Sequence, residues 1–124
     1  MKVRCYHMCF SKVEEKIIKK FYYYVRFDKN TKKELYLLKW KNGTKISAYY
    51  CTTDDDDNCL EPDDPNYEEY TSFIMDIKEI LNFDVRDRIN LNEIKKYKAI
   101  IISYHNFPDK IYNSKGELIS KREN

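Results

Sequence analysis

Four cysteines and two histidines are the residues best suited to metal or nucleophilic chemistry: Cys5, Cys9, Cys51, Cys59, His7 and His105. A structural zinc site usually brings thiolates in closely spaced pairs, because one tight turn must aim both at the same ion. Cys5 and Cys9 fall in residues 3–10, which alternate loosely as a strand does, and a strand would hold them about 13 Å apart. Zinc is therefore not expected, and small apolar thiols packed in a core are. A Cys51–Cys59 disulfide could close across the acidic stretch between them, but no secretion signal points to an oxidising compartment.

The run Asp54-Asp55-Asp56-Asp57-Asn58 invites a calcium reading. A loop starting at Asp54 places Asp54, Asp56 and Asn58 at the first three ligand positions of an EF-hand. Cys59 then stands where the turn needs glycine, and Pro65 where the ion needs a bidentate glutamate. Catalysis finds no better support. A Cys–His nucleophile pair lacks any flanking motif, and both glycines fall in turns, which leaves none for a phosphate-cradling loop. A small ribonuclease could work with His, Lys, Arg and Tyr alone, but no convergent motif points to one. The expectation is a protein without a cofactor and without enzymatic activity.

The chain that must position these residues has 124 of them, enough for one domain. It is 42 % hydrophobic and 35 % charged, a mix that can bury a core. No apolar run has the length of a membrane span, and Met1 to Phe10 has no signal-peptide core, so a soluble cytoplasmic protein is expected. The net charge of +2 hides a segregated layout. Residues 1–50 carry 13 basic and 4 acidic side chains, residues 51–76 carry 10 acidic and no basic ones, and residues 77–124 carry 10 basic and 7 acidic ones. Near-neutrality with one concentrated acidic block argues against a general nucleic-acid binder. It favours an acidic surface that meets something basic.

Local signals predict an α+β fold: a mainly antiparallel sheet with one long helix packed on it. Ser11 and Glu14 have capping-box spacing and open a short helix carrying Val13, Ile17 and Ile18 on one face, with a continued hairpin strand as the alternative. Phe21 to Phe27 reads as a β-rich aromatic run. Asn42-Gly43 reads as a two-residue hairpin turn joining Leu35–Lys41 to Thr44–Cys51. That register pairs Tyr36 with Tyr49 and Leu37 with Ala48, and puts Leu35, Leu37, Ile46, Ala48 and Tyr50 on one face. Tyr36, Leu38, Trp40 and Tyr49 take the other. Residues 52–64 read as an acidic loop ending at Asp64, a cap for a helix over about 65–82 that starts at Pro65. Tyr67, Tyr70, Ile74, Ile77 and Leu81 give that helix its apolar stripe. A short helix around Asn92–Lys96, a buried strand over Ala99–Tyr104 and a closing hairpin of Lys110–Tyr112 with Glu117–Ser120 complete the domain. Residues 121–124 form a frayed tail.

The run CTTDDDDNCLEPDDPNYEEYTSFIMDIKEIL (51–81) and the closing YHNFPDKIYNSKGELIS (104–120), on a small chain rich in tyrosine, resemble bacterial immunity proteins, the antitoxins encoded beside polymorphic or contact-dependent growth-inhibition toxins. The resemblance implies a binding protein that neutralises a cognate toxin domain, a monomer or weak dimer with no membrane role. If the toxin is a nuclease, Asp54, Asp55, Asp56, Asp57, Glu61, Asp63, Asp64 and Glu68 would stand in for substrate phosphates. Tyr67, Tyr70 and Trp40 would supply desolvated anchors. The competing expectation is a small nucleic-acid-binding or phage or plasmid regulatory protein using Lys12, Lys16, Lys19, Lys20, Arg26, Lys29, Lys32 and Lys33.

Overall fold

A computed structural model describes residues 10–27 and 34–122. Residues 3–9 of the expected strand, with Cys5, His7 and Cys9, lie outside them. Chain order is α1 (Lys12–Phe27), β1 (Leu35–Lys39), β2 (Lys45–Asp57), β3 (Glu69–Asn82), a 3-10 turn (Val85–Asp87), α2 (Leu91–Tyr97), β4 (Ala99–Ile102), β5 (Lys110–Tyr112) and β6 (Leu118–Lys121). The strands make one antiparallel sheet in the order β4-β3-β2-β1-β5-β6. With two helices, this is a single α+β domain.

The capping box forms as its spacing predicts: Ser11 N–H donates to Glu14 Oε1 (3.3 Å) and Glu14 N–H donates to Ser11 Oγ (3.2 Å). The helix it opens continues through the run expected to be a strand. Glu14, Ile17, Ile18, Phe21, Tyr22 and Val25 are all buried, and they recur at steps of three and four. That helical stripe outweighs the β preference of the aromatics Phe21 to Phe27. Phe21 lies edge-on to Tyr36 (5.5 Å), Phe73 (5.1 Å) and Phe107 (6.0 Å), so one ring ties α1 to β1, β3 and the β4–β5 connection.

The β1–β2 hairpin sits where Asn42-Gly43 places it, but one residue out of the expected register. Trp40 N–H donates to Thr44 O and Gly43 N–H to Trp40 O, which gives a three-residue loop with Gly43 at φ 111°. This is the turn-plus-bulge alternative to the two-residue loop. Tyr36 therefore pairs with Ala48 and Leu38 with Ile46. A one-residue slip exchanges faces, so Tyr36, Leu38, Ile46 and Ala48 all lie in the core, each fully buried. Leu35, Leu37 and Tyr49 are left half-buried on the opposite face.

The largest departure is at 65–82. The expected helix is instead β3, a 14-residue strand paired with β2 along twelve positions. Its apolar residues satisfy both periods. Tyr70, Ile74, Ile77 and Leu81 fit a helix, while Thr71, Phe73 and Met75 alternate along a strand and are buried, the latter two completely. Pairing with a long partner decides between the two patterns. The acidic loop shrinks correspondingly, since Asp54–Asp57 complete β2 and the connection runs only from 58 to 68.

The expected short helix and strand near the C-terminus are present as α2 and β4, and the closing hairpin as β5 and β6. Asn106 blocks the free edge of β4: its Nδ2–H donates to Ile101 O (3.1 Å) and its Oδ1 accepts from Ser103 N–H (2.8 Å). The tail begins later than expected. Lys121 ends β6, and Arg122 N–H donates to Asp109 O at 2.7 Å.

Candidate partner-binding site

β2 and β3 outrun the rest of the sheet. β4 pairs with β3 only as far as Phe73–Ile102, while the β2–β3 ladder continues through Asp54–Ser72, Asp55–Thr71, Asp56–Tyr70 and Asp57–Glu69. Past the end of β4, Glu14 of α1 takes over the edge, its Oε2 accepting from Thr71 N–H at 2.7 Å. The result is a two-stranded arm with nine carboxylates and no Lys or Arg between residues 54 and 69. A register shift between Tyr50 and Thr52 turns the strand at the base of the arm.

Aspartate is a poor strand former, and here the neighbouring ladder and open solvent make the strand tolerable. Asp54, Asp55 and Asp56 are exposed, and Asp57 is half-buried. The tip is ordered by side chains that mimic backbone. Asn58 Oδ1 accepts from Glu68 N–H (3.2 Å), Asn58 Nδ2–H donates to Asn66 O (2.7 Å), and Asp57 Oδ1 accepts from Cys59 N–H (2.7 Å). Cys59 adopts the left-handed conformation, φ 66°. Asp64 does cap a local structure, accepting from Asn66 N–H (2.8 Å), but the structure is a turn and no helix follows.

The expected site residues divide cleanly. Asp54 to Asp57, Glu61, Asp63, Asp64, Tyr67, Glu68 and Tyr70 all belong to the arm or its tip, with Glu61 and Asp63 exposed and Tyr67, Glu68 and Tyr70 half-buried. Trp40 does not. It is 7 % exposed and its Nε1–H donates to Asn106 O at 2.7 Å, which makes it a core residue and removes it as an anchor.

Two residues that the sequence did not single out for this role close the base of the arm. His105 Nε2 pairs with Glu68 Oε1 at 2.9 Å, and Tyr104 Oη–H donates to the other oxygen of Glu68. Tyr70 lies edge-on to His105 (4.7 Å), and its own hydroxyl donates to Asp57 O (3.2 Å). Burial, followed by the charges of Asp56, Cys59, Glu68 and Asp57, pushes the Tyr70 phenol upward. Burial and then the Glu68 hydrogen bond do the same to Tyr104. Both phenols stay neutral amid the carboxylates. These contacts depend on how β3 and β4 align, and no local sequence signal carries that.

The residues of the competing expectation lie elsewhere. Lys12, Lys16, Lys19, Lys20 and Arg26 line the exposed face of α1, where Lys19 pairs with Glu15 at 3.2 Å. Lys29, Lys32 and Lys33 fall outside the described residues. Among the described residues no group of His, Cys, Asp or Glu is placed to hold a metal ion, and no helix is long and apolar enough to cross a membrane.

A six-stranded antiparallel sheet, one large covering helix and a projecting charged arm define a small α+β protein. Residues 15–124 match a protein family described as cognate immunity protein YxxD, and the chain belongs to that family. No curated protein and no solved structure matches it. Membership makes it an immunity protein and gives it a cognate toxin as its partner.

Proposed function

We propose that this immunity protein neutralises a toxin of nuclease type by one-to-one binding, with the acidic arm entering the toxin's basic, phosphate-binding cleft. The observation that carries this reading is the arm itself, nine carboxylates without a Lys or Arg on a rib of sheet that extends past α1's first turn. Exposed Asp54, Asp56, Glu61 and Asp63 present negative charge in the manner of a phosphate backbone. Such a field steers encounter and raises the association rate. Tyr67 and Tyr70, half-buried beside these carboxylates, are placed to lose their remaining exposure to a partner and slow its release.

The test is a quadruple charge reversal, Asp54→Lys through Asp57→Lys, assayed for toxin affinity and for protection of cells expressing the toxin. The reading requires affinity to fall by about a hundredfold or more. Unchanged affinity together with unchanged protection would sink it.

A further inference from the structure

A second charged surface, of opposite sign, lies beside the base of the arm. The β1–β2 turn, the 3-10 turn after β3, the β4–β5 connection and the end of β6 enclose a cleft of about 500 Å³. Its walls carry Lys41, Arg86, Arg88, Arg122 and His105, with Trp40 among the lining residues. Arg86 is committed to Asp84 through two hydrogen bonds, Nε–H to Oδ1 (3.0 Å) and Nη2–H to Oδ2 (2.7 Å). Lys41 and Arg88 have no acidic partner among the described residues. Arg122 is held in place by Nη1–H donating to Phe107 O (3.3 Å) and by its own backbone N–H donating to Asp109 O. Arg88 closes the 3-10 turn in a left-handed conformation (φ 58°), which fixes where its side chain leaves the backbone.

Two carboxylates also line the cleft, Asp87 and Asp109. Asp87 is turned into the hairpin loop. Its Oδ1 accepts from Asn42 N–H (2.9 Å) and Nδ2–H (3.0 Å), and its Oδ2 accepts from Thr44 N–H (3.1 Å). Lys41, Arg88 and Arg122, three cations with no ion pair among the described residues, thus share the cleft with the carboxylates of Asp87 and Asp109 and with His105, whose Nε2 is held by Glu68.

We infer that this cleft binds a phosphate monoester, carried either by a free mononucleotide or by the phosphorylated end of a nucleic-acid strand. The volume lies in the range of small-ligand sites. A monoester carries nearly two negative charges and three acceptor oxygens, so it matches cations converging from several directions, where a carboxylate with one charge would not. Two of the three free cations are arginines, whose planar fork suits phosphate oxygens. The cleft meets the base of the arm at His105, and its binding of phosphate does not depend on the toxin reading.

Trp40 is the only tryptophan and lines the cleft, so its indole N–H resonance and the His105 ring resonances report occupancy directly. The full chain is titrated with inorganic phosphate, a nucleoside 5′-monophosphate, the matching nucleoside and acetate. Two further arms use a short oligonucleotide with and without a 5′-phosphate. Saturable shifts with phosphate and the monophosphate, and none with nucleoside or acetate, are expected. Arg88→Asn, which tolerates the left-handed backbone, and Arg122→Gln should each weaken binding about tenfold with the melting temperature unchanged. Tighter binding of the monophosphate than of the phosphorylated strand assigns the ligand as a free nucleotide, and the reverse order assigns a strand end. Absence of saturable shifts, equal response to acetate, or equal binding of the unphosphorylated strand would overturn the inference. So would wild-type affinity in both variants.

Discussion

The β2–β3 ribbon is one pair of strands with two unlike halves. In the core half, Ile46, Ala48, Met75 and, next to the arm, Phe73 have no solvent exposure and share one hydrophobic core with the buried face of α1. In the other half, Asp54, Asp55 and Asp56 stand in water on a ladder that resumes after the register shift between Tyr50 and Thr52. The first half is held by apolar burial. The second is held by backbone hydrogen bonds and by Asn58, Asp57 and Asp64 at the tip. A ribbon anchored at one end can carry at the other end a density of like charge that would not fold alone. If the arm docks the toxin as proposed, stability and recognition are separated along a single hairpin.

That separation can be broken from the core side first. Phe21→Ala, which empties the contact among α1, β1 and β3, should cost about 3–5 kcal/mol in chemical denaturation. The fraction still folded should bind toxin normally. Glu14→Ala comes next. This side chain is 1 % exposed, completes the capping box and accepts from Thr71 N–H where the arm leaves the core. Its loss should cost about 2–3 kcal/mol, with hydrogen exchange accelerated at Thr71 more than at Met75.

How these elements could be foreseen from sequence divides along similar lines. Signals that close within a few residues were legible: Ser11 with Glu14, the Asn42-Gly43 turn, the β-branched run Ala99–Ile102. Where apolar residues satisfied two periods at once, local pattern failed. Phe21, Tyr22 and Val25 continue the stripe of Ile17 and Ile18, yet their aromatic neighbours suggested a strand. The stretch 65–82 failed in the opposite sense, because its helical spacing is real and only the presence of β2 as a partner converts it to a strand. The acidic stretch was recognisable as a candidate surface from charge alone. Its base, where His105 and Tyr104 meet Glu68, was not, because strand alignment brings together residues 36 positions apart.

A smaller effect is expected where the β1–β2 turn meets the 3-10 turn. Burial alone would raise the Asp87 carboxyl, but hydrogen bonds from Thr44 and Asn42 outweigh it and hold it below the usual range. Asp87→Ala should cost about 2 kcal/mol at neutral pH. A carboxyl lowered in the folded state contributes stability above its unfolded value, near pH 4, and loses it as pH falls through the folded value. The variant should therefore show a shallower decline in stability below about pH 4 than the wild type, measured by denaturation at successive pH values. Smallest of all should be the effect of neutralising the arm. Asp54→Asn with Asp56→Asn should change folding stability by no more than about 0.5 kcal/mol, since both side chains are exposed, while lowering toxin affinity. A large stability loss would show that the two halves of the ribbon are not independent.

The central claim, that the arm is the docking surface, is met most directly by stopped-flow association of the wild-type protein with its purified toxin as ionic strength rises from ~50 mM to ~500 mM. The account predicts an association rate that falls at least about tenfold, with dissociation little changed, and a charge-reversed arm that abolishes the slope. An association rate independent of salt, or a slope that survives charge reversal of Asp54 to Asp57, would contradict it.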